Sequence, residues 1–96
     1  MMELDRLLHE PSRLLIATIL YTVEKADFTF LLRETGLTKG NLSAHLAKLE
    51  EAGYVTVEKG FVGKIPRTTY SLTERGREAY RAYREHLRRM VEKMPC

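Results

Sequence analysis

Residues 27–53 read DFTFLLRETGLTKGNLSAHLAKLEEAG, and this stretch predicts two short helices separated by a tight turn. Asp27 is a good N-cap for a helix over residues 28–35, because its carboxylate can accept hydrogen bonds from the free N–H groups of the first turn. Gly36 can end that helix in a left-handed conformation without a steric penalty. Thr38 is the N-cap candidate of the second helix, which runs to the end of the stretch. Two helices joined by a short turn that contains glycine are typical of a helix-turn-helix unit.

The residues before this unit predict two further helical segments. Pro11 suits the first position of a helix, where its missing N–H is not needed. Before Pro11, a short apolar face of Leu4, Leu7 and Leu8 indicates one or two helical turns over residues 3–9. Apolar residues then recur at helical spacing, which predicts an amphipathic helix over about residues 11–25. They are Leu14, Leu15, Ile19, Leu20 and Val23.

After the helix-turn-helix unit the apolar pattern changes to a period of two, which is typical of strands. Val55 and Val57 alternate with polar residues, and Tyr70 and Leu72 do so further along the chain. These two runs predict a β-hairpin, or wing, over residues 54–72.

The tip of this hairpin lies between the two runs. Residues 60–67 contain two glycines and a proline, which predicts a long flexible tip. Apolar side chains at a loop tip need a surface to cover, so we expect Phe61 to fold back onto the domain.

The last helix carries an unusually regular apolar stripe. Thr73 caps a helix over about residues 74–93, and its apolar positions step by three and four residues. The first part of the stripe can pack on its own domain, whereas the rest would form an apolar patch that monomers rarely tolerate. We therefore expect residues 74–94 to be a dimerisation helix. The predicted interface consists of Leu4, Leu7, Leu8, Tyr83, Leu87, Met90, Val91 and Met94.

The elements follow the order helix, helix, helix, hairpin, helix. A helix-turn-helix followed directly by a two-stranded hairpin is the winged-helix arrangement. The predicted fold is mainly α with a small β-hairpin, a winged helix-turn-helix (α-α-α-β-β-α) with a long C-terminal dimerisation helix. Residues 1–96 are predicted to form a single domain.

Composition disfavours membrane proteins and enzymes. The chain is 44% hydrophobic and 30% charged, with no long apolar run and no signal-like N-terminus, so we expect a cytoplasmic protein. Cys96 is the single cysteine, and the three histidines His9, His45 and His86 are scattered. We therefore expect no metal site, no cofactor and no enzymatic activity.

Positive charge is concentrated in the C-terminal two thirds of the chain. Residues 1–38 have four basic and six acidic residues, residues 39–73 have five and three, and residues 74–96 have seven and four. This distribution suits a polyanionic partner.

Amide side chains are scarce, since the chain has one Asn and no Gln. Proteins of thermophiles lose labile amides and favour charges, so we expect a thermophilic source. A melting temperature below about 65 °C would contradict this expectation.

The helix that Thr38 caps, which is the third helix of the predicted fold, has a small, polar outer face. Leu42, Leu46 and Leu49 fall on one side, and the opposite side is small and polar towards its N-terminal end, where an ordinary surface helix would carry long charged side chains. Small residues let a helix approach the major groove closely, and the N–H groups at its N-terminus favour phosphate. His45 fits a half-buried structural role at least as well as a DNA contact. The DNA contacts predicted on this helix are Thr38, Lys39, Gly40, Asn41, Ser43, Ala44, His45 and Lys48.

The hairpin tip carries three basic residues, Lys59, Lys64 and Arg67, with no acid between them. Basic side chains on a protruding loop can reach phosphates or the adjacent minor groove. Lys64 and Arg67 are the predicted contacts of the wing.

Two runs carry a resemblance to a known group. The run from Asp27 to Val55 is similar to the helix-turn-helix of one-domain winged-helix regulators in the MarR/ArsR-like group, and the run from Lys64 to Arg77 resembles that group's wing. The resemblance covers about residues 8–90. It implies sequence-specific binding of duplex DNA by a dimer, with the third helix in the major groove and the wing beside it.

The resemblance also bears on effectors. Members of the ArsR-like branch often sense metals through clustered Cys and His, which this chain lacks. MarR-like members often bind small aromatic ligands, and the sequence leaves a small-molecule effector open.

The expected function is that of a homodimeric transcriptional regulator that binds double-stranded DNA. Two-fold symmetry predicts a palindromic operator with half-sites about one helical turn apart. The alternative is a winged helix used as a protein-interaction module in a larger assembly, which would show little salt-dependent affinity for DNA. RNA binding is a third alternative, disfavoured because no stacking platform of aromatic residues is evident.

Overall fold

The computed structural model describes residues 5–95 and contains four helices and a three-stranded antiparallel sheet. The helices are α1 (Pro11–Val23), α2 (Phe28–Thr35), α3 (Lys39–Glu51) and α4 (Glu74–Lys93). The strands are β1 (Ala26–Asp27), β2 (Val55–Val62) and β3 (Ile65–Leu72), in the sheet order β1-β3-β2. The predicted fold class is confirmed, with the addition of β1, which is too short to show in an apolar pattern.

The predicted caps define the helix-turn-helix and the start of α4. The side chain of Asp27 accepts a hydrogen bond from the Phe30 N–H at 2.7 Å. Gly36 ends α2 with a φ of 71°, in the left-handed region that glycine adopts without strain. Thr38 and Thr73 cap α3 and α4, because the hydroxyl of each accepts a hydrogen bond from the N–H of the third residue of its helix.

Helix α1 begins as predicted and ends two residues early. Pro11 is its first residue, and the carboxylate of Glu10 accepts hydrogen bonds from the N–H groups of Ser12 and Arg13. The helix ends at Val23 because Glu24 takes a φ of 70°, which turns the chain into β1.

One hydrophobic core holds the helices against the base of the wing. Its members come from every helix and from both strands of the wing. They are Leu8, Ile16, Ala17, Leu20, Ala26, Leu31, Leu42, Leu46, Leu49, Val55, Leu72, Tyr80 and Tyr83. Burial of this kind is the main source of stability for a small chain.

The wing spans nearly the residues predicted, but its two strands are paired further towards the turn than the sequence predicts. The ladder continues to a pairing of Val62 with Ile65, which leaves only Gly63 and Lys64 in the turn. Gly63 has a φ of 63°, which allows a two-residue turn. The predicted long flexible tip is therefore wrong, because β-branched residues on both strands extend the ladder to the turn.

Helix α4 starts against the beginning of the wing. The Thr73 N–H donates to the Tyr54 carbonyl oxygen at 3.0 Å, and the Thr73 hydroxyl donates to the Gly53 carbonyl at 2.6 Å. A Cβ at Gly76 would lie 2.1 Å from the Tyr54 carbonyl oxygen. Only glycine therefore allows α4 to approach this closely.

One or two helical turns were predicted over residues 3–9, and in the described part of this segment the His9 N–H donates to the Asp5 carbonyl oxygen at 2.8 Å, which closes a single turn. Asp5 accepts hydrogen bonds from the backbone of Leu7 and Leu8 and from the Tyr54 hydroxyl. Burial, followed by the contact with Asp5, raises the pKa of Tyr54 to about 12. This segment is therefore fixed to the start of the wing.

The molecule is elongated. Its extents are 55 × 25 × 20 Å, and its radius of gyration is 14.6 Å, whereas a compact chain of this length has a value of about 12.5 Å. None of the helices described between residues 5 and 95 is long and apolar enough to cross a membrane.

Candidate nucleic-acid interface

Helix α3 has one covered side and one open side. Leu42, Leu46 and Leu49 are buried in the core. The open side starts at the N-terminal cap, where the Thr38 hydroxyl accepts a hydrogen bond from the Asn41 N–H at 3.1 Å. Its exposed residues are Thr38, Lys39, Gly40, Asn41, Ser43, Ala44, Ala47 and Lys48. No part of residues 5–95 covers this face, so it is free to approach a partner.

A groove runs between α3 and the wing. Ser43, Ala47 and Glu50 line it on the helix side, and Thr68 and Tyr70 line it on the wing side. A neighbouring groove of about 640 Å³ continues past the start of α2 towards the tip of the wing. Ala47 is not among the predicted DNA contacts, although its spacing from Ser43 places both on one helix face.

The acidic end of α3 lies at the base of this groove. Burial, and then the negative charge of Glu50, raise the pKa of Tyr70. Lys48 and Glu51 lie on the other flank of the helix, beside Leu7. A negative charge beside the wing would repel phosphate, so the N-terminal half of α3 is the part suited to DNA.

His45 belongs to a contact network at the edge of the core rather than to the open face. Its Nδ1 lies 3.2 Å from an Arg13 guanidinium nitrogen and 3.6 Å from a Glu10 carboxylate oxygen. Burial raises the pKa of Glu10, but backbone hydrogen bonds and the charges of His45 and Arg13 outweigh this effect and hold the pKa below its ordinary value. The structural role of His45 is therefore the one that these contacts support.

The basic residues of the wing differ in their surroundings. Lys59 and Lys64 are exposed. Arg67 lies 3.1 Å from a carboxylate oxygen of Asp27, the residue that caps α2. This ion pair joins the wing to the start of the helix-turn-helix, a role that the sequence does not reveal because the two residues are far apart along the chain.

The tip of the wing is apolar and uncovered. Phe61 is 74% exposed, Val62 52% and Ile65 70%. The expectation that Phe61 folds back onto the domain is therefore wrong, because the regular ladder carries its side chain away from the core.

The apolar stripe of α4 divides into two parts. Tyr83 is buried, and its hydroxyl lies 2.8 Å from His9 Nδ1, while Leu87 is half-buried against the core. Beyond them Val91 and Met94 are more than half exposed. The free part of the stripe thus begins later than predicted.

The predicted dimer interface needs correction at two positions. Leu8 and Tyr83 are buried by their own chain, with 1% and 4% exposure, so neither is available to a partner. Leu7 is half-buried against the core. Leu4 lies outside the described residues.

Within residues 5–95, no group of three or more His, Cys, Asp or Glu side chains is placed to hold a metal ion.

The comparison with known families agrees with this geometry. The family described as winged helix DNA-binding domain matches residues 12–91. The chain belongs to this family. The match extends from α1 almost to the end of α4, so it includes the helix-turn-helix, the wing and most of the long helix.

Individual proteins are similar to this chain over most of their length. An uncharacterized protein of Methanocaldococcus jannaschii is 33% identical over 84 residues, which cover 88% of this chain and 91% of the relative. The structure of a transcriptional regulator homologue from Pyrococcus horikoshii has a TM-score of 0.86 at 31% identity and covers 92% of this chain and 87% of that chain. A protein of Mycobacterium tuberculosis has a TM-score of 0.77 at 26% identity and covers 91% and 84%.

These matches place the chain among winged-helix DNA-binding transcriptional regulators. The resemblance to one-domain winged helix-turn-helix regulators that the sequence indicates is confirmed.

Proposed function

We propose that this winged-helix protein is a homodimeric transcriptional regulator that binds specific sequences of double-stranded DNA. The observation that carries the proposal is the open, small-residue face of α3 beside an exposed basic wing. An α-helix fits the major groove of B-DNA, where every base pair presents a distinct pattern of donors and acceptors.

The residues of α3 divide into base-facing and phosphate-facing groups. Asn41, Ser43 and Ala44 are exposed in the N-terminal half of α3 and can face base edges, whereas Lys48 is exposed on the flank beside Leu7 and can reach nearby phosphates. Lys39 lies at the first turn, where free backbone N–H groups also favour phosphate. Gly40 adds no side chain, so the helix can approach the groove closely at this point.

The wing contributes mainly to backbone binding. Lys64 occupies the turn and is exposed, which suits a phosphate contact. Arg67 is half exposed, so its guanidinium can reach phosphate only at the cost of its ion pair with Asp27. We therefore expect Lys64 to contribute more to the salt dependence of binding than Arg67.

Dimerisation through the end of α4 explains its uncovered stripe. Leu87, Met90, Val91 and Met94 repeat at helical spacing on one face. The opposite face is solubilised by ion pairs of Arg88 with Glu85 and Glu92. A second copy packed on the apolar face would bury it, and two-fold symmetry would present two α3 helices to a palindromic operator.

Selection of bound fragments from random duplex DNA tests the proposal. We expect an enriched inverted repeat with half-sites about one helical turn apart. On the selected duplex, Lys64→Ala should lower the slope of log affinity against log salt by about one. Lys93→Ala is the matched control, because this exposed lysine lies at the far end of α4, and its slope should be unchanged.

Two outcomes of these experiments would contradict the proposed function or part of it. No enriched sequence, together with weak and salt-independent binding of duplex DNA, would contradict the proposal and favour a protein-interaction module. Enrichment of a single half-site by a monomer would retain DNA binding and contradict the dimer.

A further inference from the structure

The last two rungs of the wing are apolar on both faces. Cross-strand partners share a face of a β-ribbon, so Val62 and Ile65 lie together on one face, and Phe61 and Pro66 lie together on the other. A flat partner, or the domain itself, could cover only one of these faces. A two-sided apolar ribbon is matched by a slot with two walls.

The charge of the wing indicates the nature of that slot. Residues 59–72 contain three basic side chains and no acidic one. The two acids beside this range are already paired, since Glu58 is 3.5 Å from Lys25 and Asp27 is 3.1 Å from Arg67. A slot that attracts this ribbon should carry negative charge along its rims and apolar groups within.

The minor groove of duplex DNA has this combination, with phosphates along its rims and sugar carbons on its walls. We propose that the apolar wing tip inserts into the minor groove and wedges it open, with Phe61 against the bases. The proposal rests on the proposed DNA-binding function and adds a deformation of the DNA to it.

The wing tip is wider than the minor groove of B-DNA, so its insertion requires the DNA to deform. The minor groove of B-DNA is about 6 Å wide, whereas a ribbon with side chains on both faces is about 10 Å thick. The groove must therefore widen, and apolar wedges do this by unstacking a base step and bending the duplex. Flexible pyrimidine–purine steps deform most easily, so the wedge would select sequence without a hydrogen bond to a base.

The wing is built to withstand such insertion. Its ladder is regular up to the two-residue turn. The third rung from the turn, where Arg67 lies, is joined to the helix-turn-helix by the ion pair of Arg67 with Asp27 at 3.1 Å. A ribbon held rigidly in this way can keep its shape and deform the DNA, whereas a flexible loop would itself change conformation.

The test uses the duplex recovered by selection, with fluorophores at its two ends and 2-aminopurine at the step expected under the wing. Wild-type protein should shorten the end-to-end distance and raise the 2-aminopurine fluorescence. Phe61→Ser should lower the affinity about tenfold, reduce both signals and leave the salt slope unchanged, because no charge is removed. Phe61→Leu is the matched control and should retain most of the bend.

The result that would overturn the proposal is a Phe61→Ser variant that binds and bends the duplex like wild type. Weaker self-association of this variant with unchanged bending would also overturn it, in favour of a second copy as the occupant. Wild-type protein that binds the duplex without bending it would contradict the wedge alone, whereas wild type that binds no duplex would contradict the proposed function as well. Phe61 is exposed, so the variant should keep the melting temperature of wild type.

Discussion

Helices α3 and α4 both have apolar residues at three- and four-residue spacing, but the chain covers the two stripes differently. The stripe of α3 is buried along the whole helix. The buried residues of α4 end at Tyr83, ten residues before the helix does. At 1.5 Å per residue, about 15 Å of α4 therefore extends beyond the last residue that its own domain buries.

The difference between α3 and α4 shows that the chemistry of an exposed helix face indicates which kind of partner it binds. On α3 the covered stripe is core, and the opposite side is exposed, small and polar, which suits the major groove. On α4 the uncovered part of the stripe is itself the exposed surface, and it is apolar, which suits another protein. The chemistry of the uncovered side, rather than the spacing of the apolar residues, separates the two roles.

The largest expected effect comes from Gly76→Ala, which tests the covered part of α4. The added Cβ would lie 2.1 Å from the Tyr54 carbonyl oxygen, so either α4 or the start of the wing must move. We expect the free energy of unfolding to fall by about 3 kcal/mol, the upper end of the usual cost of overpacking. Urea denaturation, monitored by circular dichroism, measures the free energy of unfolding. A variant as stable as wild type would show that the close approach of α4 to Tyr54 does not require glycine.

Val91→Glu tests the uncovered part of α4. Leu87 is less suitable because it packs against its own core, whereas Val91 is 57% exposed. A symmetric interface receives the carboxylate twice, so we expect self-association to weaken by about thirtyfold, the effect of losing one strong interface contact.

Sedimentation equilibrium measures the association of this variant, with urea denaturation as a check that the fold of each copy is intact. Ala82→Glu is the matched control, since it adds the same charge to an exposed position of α4 off the stripe. Equal dimerisation of Val91→Glu and wild type would remove this face from the interface.

Local signals made the helices predictable from sequence. Asp27, Thr38 and Thr73 cap the helices in the structure as predicted, and Gly36 ends α2 as predicted. These features depend on residues within a few positions of one another, so the sequence contains them directly.

Contacts between distant residues were less predictable. The pairing of Val62 with Ile65 could not be predicted, because the glycine and proline residues near it are typical of loops as well as of tight turns. The ion pair of Arg67 with Asp27 and the burial of Leu8 depend on how the elements pack. For the candidate site, the open face of α3 was therefore predictable, whereas the apolar wing tip was not.

Glu10→Gln tests how α3 is held on its covered side. Glu10 caps α1 and faces Arg13 and His45, so the substitution weakens both the cap and the contact with α3. We expect a loss of about 1 kcal/mol at neutral pH, typical of a weakened N-cap. Glu34→Gln, at an exposed position of α2, is the control and should cost less.

The pH dependence of this effect has a defined sign. The pKa of Glu10 is lower in the folded protein than its ordinary value, so its contribution is present above the ordinary pKa and is lost as pH falls through the lowered pKa. The difference in stability between wild type and Glu10→Gln should therefore shrink in acid. A difference that stays constant down to the acid transition would contradict the role of the charge.

The smallest effect on stability, and one of opposite sign, is expected for Gly40→Ala on the open side of α3. No atom lies within 4 Å of a Cβ at this position, so the substitution creates no clash, in contrast to Gly76→Ala. Because alanine reduces the conformational freedom of the unfolded chain, we expect the free energy of unfolding to rise by about 0.5 kcal/mol. The same methyl group would separate α3 from the major groove, and affinity for the selected duplex should fall about fivefold. A variant that is more stable and binds equally well would show that Gly40 does not face DNA, and that the N-terminal half of α3 is open for another reason.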